Sequence, residues 1–137
     1  MIRVLVADDF DIMMEAIRRL IETYEDVQIV DEVTRFEELL ETIIDDAQDV
    51  VLVNDYVPPM DSGRAVRKLR ELGITKPVLV MSMHRDVDNI CRSLEAGANG
   101  YILKEEFLDE LLPALRAVHR GEQYLSPLTT AVLEEEE

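Results

Sequence analysis

The chain has 137 residues, 47% hydrophobic and 32% charged, the profile of one globular domain large enough to bury a core without staples or metals. Lys and Arg number 14 against 30 Asp and Glu, a net charge of −16, and such a surface repels phosphate backbones and anionic lipid. Every apolar run falls short of the roughly 18 residues of a membrane span. The first residues run straight into acidic ones instead of forming a signal peptide. Cys91 is the single cysteine, so a disulfide-stapled or secreted protein is not expected and a cytoplasmic one is.

Apolar runs alternate with amphipathic stretches along the chain. Ile2 to Ala7 reads as a buried strand, with Asp8 and Asp9 at its carboxyl end. Ile12, Ala16, Ile17, Leu20 and Ile21 recur at helical spacing and predict a helix over roughly residues 11–23. Val27 to Val30 is a second short strand, and Phe36, Leu39, Leu40, Ile43 and Ile44 mark the second helix. Val50 to Val53 is the clearest strand, ending at Asn54-Asp55. Pro58-Pro59 then forbid a regular helix or central strand. Ser62 can cap a third helix carrying Ala65, Val66, Leu69 and Leu72, which Gly73 ends.

Pro77 to Ser82 reads as a fourth strand, and Asp86 as the cap of a fourth helix through Ile90 and Leu94. Tyr101 to Leu103 is the fifth strand, followed by a helix over about 107–120 that Gly121 stops. Pro113 within it predicts a kink or a late start. Strands that are apolar throughout and joined by helices imply a (βα)5 doubly wound parallel sheet covered on both faces. Residues 1–121 form that domain and 122–137 a linker or tail, closing on the Glu134–Glu137 run.

In an open α/β sheet, ligands bind outside the carboxyl ends of the strands. The groups delivered there are Asp8 and Asp9, Asn54 and Asp55, Ser82, and Lys104. Adjacent carboxylates with a further oxygen ligand suit Mg²⁺, and an ammonium and a hydroxyl opposite would hold a phosphoryl group. Asp8-Asp9 as a helix cap and Lys104 as a salt-bridge partner are the plainer alternatives.

Val6-Ala7-Asp8-Asp9, Pro58-Pro59-Met60-Asp61, Ser82 and Gly100-Tyr101-Ile102-Leu103-Lys104, in that order, resemble the receiver domain of two-component response regulators. The stretch Ala117 to Pro127 is similar to the NarL/FixJ (LuxR-type) subgroup. The resemblance covers essentially the whole chain. It implies a flavodoxin-like, CheY-like fold with strand order 2-1-3-4-5 and a signalling module rather than an enzyme. It also implies that Asp8, Asp9 and the backbone of Tyr56 hold Mg²⁺, that Ser82 and Tyr101 are switch positions, and that Lys104 contacts the phosphoryl group. The family's phosphoacceptor is an aspartate four residues before the loop proline, and counting back from Pro58 lands on Asn54.

An asparagine amide is a poor nucleophile and lacks the charge that helps recruit Mg²⁺. Adjacent strand residues point to opposite faces, so with Asn54 in the pocket Asp55 lies outside it. The expectation is an atypical receiver that works without aspartyl phosphorylation, with Mg²⁺ binding weakened by Asn54; the alternative is a conventional switch using Asp55. A flavin carrier or phosphatase on the same fold is a third reading, though the loops hold no glycine-rich phosphate cradle and the third strand no Asp-x-Asp nucleophile pair. Implied partners are a second copy, a sensor histidine kinase, and DNA only through a helix-turn-helix domain absent from this sequence, with no direct nucleic-acid or membrane contact. Cys91 and the methionines read as packing residues, His84 as a solvated loop residue, and His119 as a helix-end residue that favours the dipole.

Overall fold

The structure, a computed structural model, describes residues 1–8 and 12–135. Strand β1 (Ile2–Ala7), helix α1 (Ile12–Glu22), β2 (Val27–Val33), α2 (Phe36–Ile43) and β3 (Val50–Val53) follow the predicted order. A two-stranded hairpin, β4 (Tyr56–Val57) with β5 (Met60–Asp61), folds around the proline pair. Then come α3 (Ser62–Glu71), β6 (Val78–Ser82), α4 (Val87–Ala96), β7 (Gly100–Leu103) and α5 (Phe107–His119). A single 3₁₀ turn, Lys104–Glu106, joins β7 to α5.

The main sheet runs β2-β1-β3-β6-β7-β8, with its strands paired in parallel. This is the expected doubly wound order, extended by one strand. The extension is β8 (Tyr124–Leu125), followed by α6 (Pro127–Glu135), in residues expected to be a tail. Apolar residues at helical spacing explain why they fold: Leu128 and Val132, with Leu125 and Leu133, pack against the core.

Alternation divides the core into two layers. Leu5, Ala7, Val51, Val53, Val80 and Leu103 face one cluster, with α2, α3, α4 and α6. Val4, Val6, Val50, Leu52, Leu79, Met81 and Ile102 face the other, with α1 and α5. Helix ends follow their sequence signals with one exception. Asp86 accepts from the Asn89 N–H at 3.0 Å, as expected, and Gly97 closes α4 at a φ of 116° that only glycine adopts without strain. The cap of α3 is not Ser62 but Asp61, whose carboxylate accepts from the Arg64 N–H at 2.9 Å; Ser62 is the buried first residue of the helix. Asp61 prevails because a carboxylate is the stronger acceptor and adds favourable charge at the helix start. Pro113 lies inside α5, which nevertheless runs without a break from Phe107.

Candidate functional site

The carboxyl ends of β3, β6 and β7 converge on the carboxylate of Asp55. Ser82 Oγ, at the end of β6, donates to Asp55 Oδ1. The Met83 N–H donates to Oδ2 at 2.9 Å, and Lys104 Nζ lies 3.7 Å from the same oxygen. Lys104 is buried, 8% exposed, which strengthens its attraction for the carboxylate relative to a surface pair. Asp8 is fully buried at the end of β1.

This arrangement corrects the expectation for the end of β3. Asn54 was expected to face the pocket and Asp55 to face away, whereas Asp55 is the residue that Ser82, Met83 and Lys104 meet. The cause is pleat: Asp55 stands two residues beyond Val53 and Ser82 two beyond Val80, on the side both valines share. Asn54 is buried at 4% exposure, its N–H donating to the Ala7 carbonyl at 2.9 Å. Its side-chain Oδ1 has no hydrogen-bond partner among the described residues.

A second ring of contacts holds the pocket in shape. Tyr101 is completely buried, and its hydroxyl donates to the His84 carbonyl at 2.6 Å. Asn89 Nδ2 donates to the same hydroxyl at 2.8 Å. The His84 N–H in turn donates to Ser82 Oγ at 2.9 Å. Burial pushes the Tyr101 phenol above its ordinary pKa, with the hydrogen bond from Asn89 opposing it. Thus Tyr101 reaches Ser82 through the backbone of His84, whose own side chain is exposed.

Of the positions singled out in the sequence, Ser82, Tyr101 and Lys104 gather around Asp55. Tyr56 opens the β4–β5 hairpin with a 44% exposed side chain. Asp9 lies outside the described residues. Sequence reading missed the Met83 amide and Asn89. A main-chain donor carries no residue signal, and Asn89 was hidden as one polar residue of an amphipathic helix. No helix among the described residues is long and apolar enough to cross a membrane.

Residues 4–116 match the model of the response regulator receiver domain. The chain is 34% identical over 127 residues to the response regulator GacA of Pseudomonas viridiflava, covering 93% of this chain and 59% of that protein. It is 29% identical over 130 residues to the nitrate/nitrite response regulator protein NarL of Escherichia coli strain K12, covering 95% and 60%. The chain therefore spans about three fifths of the length of these relatives. A crystal structure of a LuxR-family two-component response regulator from Aurantimonas sp. SI85-9A1 superposes with a TM-score of 0.90 at 28% identity, covering 98% of this chain and 96% of that one.

Proposed function

Because the chain belongs to the response regulator receiver domain family, in its NarL/FixJ (LuxR-type) branch, we propose that it is a phosphorylatable switch with Asp55 as acceptor. The observation that carries this reading is the environment of the Asp55 carboxylate: a hydroxyl, a main-chain N–H and a buried ammonium surround it. Those three donors suit a phosphoryl group as well as they suit the free carboxylate. One Asp55 oxygen attacks phosphorus, the bond from phosphorus to the donor's leaving group breaks with its electron pair, and an acyl phosphate remains. Lys104 and Ser82 then meet phosphoryl oxygens.

Asp8 and Asp55 offer hard oxygen ligands from adjacent strand ends, which fit Mg²⁺. Asp9 and the Tyr56 carbonyl are the further ligands the family resemblance implies. Such an ion, when bound, would neutralise charge building on the phosphoryl group. Asn54 is in this reading a buried strand-end residue, and phosphorylation does not depend on it. The phosphodonor is a sensor histidine kinase, the output includes self-association, and DNA is reached through a further domain such as the longer relatives have room for.

Intact-mass measurement with Mg²⁺ and a small-molecule phosphodonor tests the proposal. The native chain and Asn54→Ala gain one phosphoryl group, and Asp55→Asn gains none. Uptake by Asp55→Asn, or loss of uptake in Asn54→Ala with its melting temperature intact, would refute it.

A further inference from the structure

The segment after α5 is tied to the very residues that shape the pocket. The Ser126 N–H donates to the Tyr101 carbonyl at 3.2 Å, and Thr129 Oγ1 donates to the same oxygen at 3.4 Å. Ser126 and Thr129 are both fully buried and bond each other through their hydroxyls at 2.8 Å. Buried hydroxyls are held only where they have partners, so this geometry is specific. A second tie passes through Glu106. Its Oε2 accepts from the Leu103 N–H at 3.1 Å, and its Oε1 from the Leu128 N–H at 3.0 Å.

Strand β7 is shaped to receive the segment. A Cβ added at Gly100 would lie 3.0 Å from the Tyr124 carbonyl and 2.9 Å from Leu79 Cδ1, so only glycine lets β8 come this close. Leu128, Val132 and Leu133 lie on the same core layer as Tyr101. The attachment is nevertheless slight. Helix α6 has nine residues, too few to be stable alone, and only Thr129 on it is buried. Glu134 and Glu135 stand at its carboxyl end, where the helix dipole disfavours negative charge.

We infer that β8–α6 is a strap that holds Tyr101 inward and thereby positions Ser82 on Asp55, so that strap docking and phosphoryl occupancy of the pocket favour each other. The chain of contacts runs from Thr129 to Tyr101, from its hydroxyl to the His84 carbonyl, and from the His84 N–H to Ser82 Oγ. Thr129 and Val132 are positioning residues in this relay. The inference deepens the switch reading: in a longer regulator the strap leads out of the receiver, so its docking would carry the state of the pocket to whatever follows. Coupling of this kind is reciprocal.

Amide hydrogen exchange on the full chain tests it in two arms. The first arm needs no phosphoryl group: Val132→Asp detaches α6, and Thr129→Val removes one hydroxyl while keeping the side chain's shape. Exchange of residues 82–86 rises about fivefold in Val132→Asp and by less in Thr129→Val. Unchanged exchange there, with residues 126–135 exchanging freely, would overturn the inference. In the second arm Mg²⁺ with beryllofluoride, a phosphoryl mimic, slows exchange of residues 126–135 in the native chain by a similar factor. Protection confined to residues 82–86 would also overturn the inference. If beryllofluoride protects neither region, the phosphoacceptor reading fails, and the first arm still decides the strap.

Discussion

At the amino ends of the strands, cationic side chains are bonded at short range by several partners; at the carboxyl ends the Lys104 ammonium stands off its carboxylate. Asp49, just before β3, accepts from the Arg3 N–H at 2.8 Å and from Arg3 Nε and Nη2 at 3.0 and 2.9 Å. Arg70 donates from Nη1 to the Ile74 and Lys76 carbonyls, from Nε and Nη2 to the Gly97 carbonyl, and from Nη2 to Asn99 Oδ1. That Asn99 oxygen also receives the Val78 N–H, which locks the start of β6 to the start of β7. At the opposite end Lys104 stands 3.7 Å from Asp55 and makes no shorter ion pair among the described residues. Arg3 and Arg70 at the amino end are tied by several short hydrogen bonds each, whereas the Lys104 ammonium at the carboxyl end meets its carboxylate only at 3.7 Å.

Variants at the two ends test this contrast. Arg70→Ala takes the guanidinium donors from the Ile74, Lys76 and Gly97 carbonyls, and the expected cost is about 2–4 kcal/mol in urea unfolding. Arg70→Lys recovers little of it, because an ammonium cannot replace the planar fork. A cost under about 0.5 kcal/mol would mean that the amino end is not the stabilising one. At the carboxyl end Lys104→Met keeps the buried stem and loses only the long contact. Its expected effect on unfolding is smaller than that of Arg70→Ala, because the ammonium reaches the carboxylate only at 3.7 Å, while phosphoryl uptake falls severely. Equal loss of stability in Lys104→Met and Arg70→Ala would erase the distinction.

The smallest effect is in acid. Hydrogen bonds from Arg3, with its charge, hold the Asp49 carboxyl at a pKa of about 2 against the opposing effect of burial. A carboxyl depressed in the folded state adds stability above its unfolded value, near 4, and that stability disappears as pH falls from about 4 to about 2. The urea midpoint of the native chain should therefore fall more steeply across that window than that of Arg3→Met. Parallel curves would show that the pair adds nothing.

Most of the fold was legible because each element carries its own signal. The helical periodicities of α1 and α2 and the apolar run of β3 need no tertiary information. Position 54 shows where that legibility stops. A strand buried on both faces, as Val50–Val53 is, has no alternation from which to read which residue faces which way. Tandem prolines made the count to the acceptor ambiguous: back from Pro58 it lands on Asn54, and back from Pro59 on Asp55. The sequence does not say which of the two side chains meets Ser82 across the strands; in the structure it is Asp55. Strand β8 and helix α6 were missed for a different reason. Two strand residues and a nine-residue helix with a narrow apolar face fold only because β7 and α4 are there to receive them.

Locating the phosphoryl group on the chain tests the central claim most directly. After incubation with Mg²⁺ and a small-molecule phosphodonor, borohydride reduces an aspartyl phosphate to homoserine, which tandem mass spectrometry can place in the sequence. The account predicts homoserine at position 55 alone. Homoserine at position 8 or 9, or none in a chain whose mass shows a phosphoryl group, would contradict it.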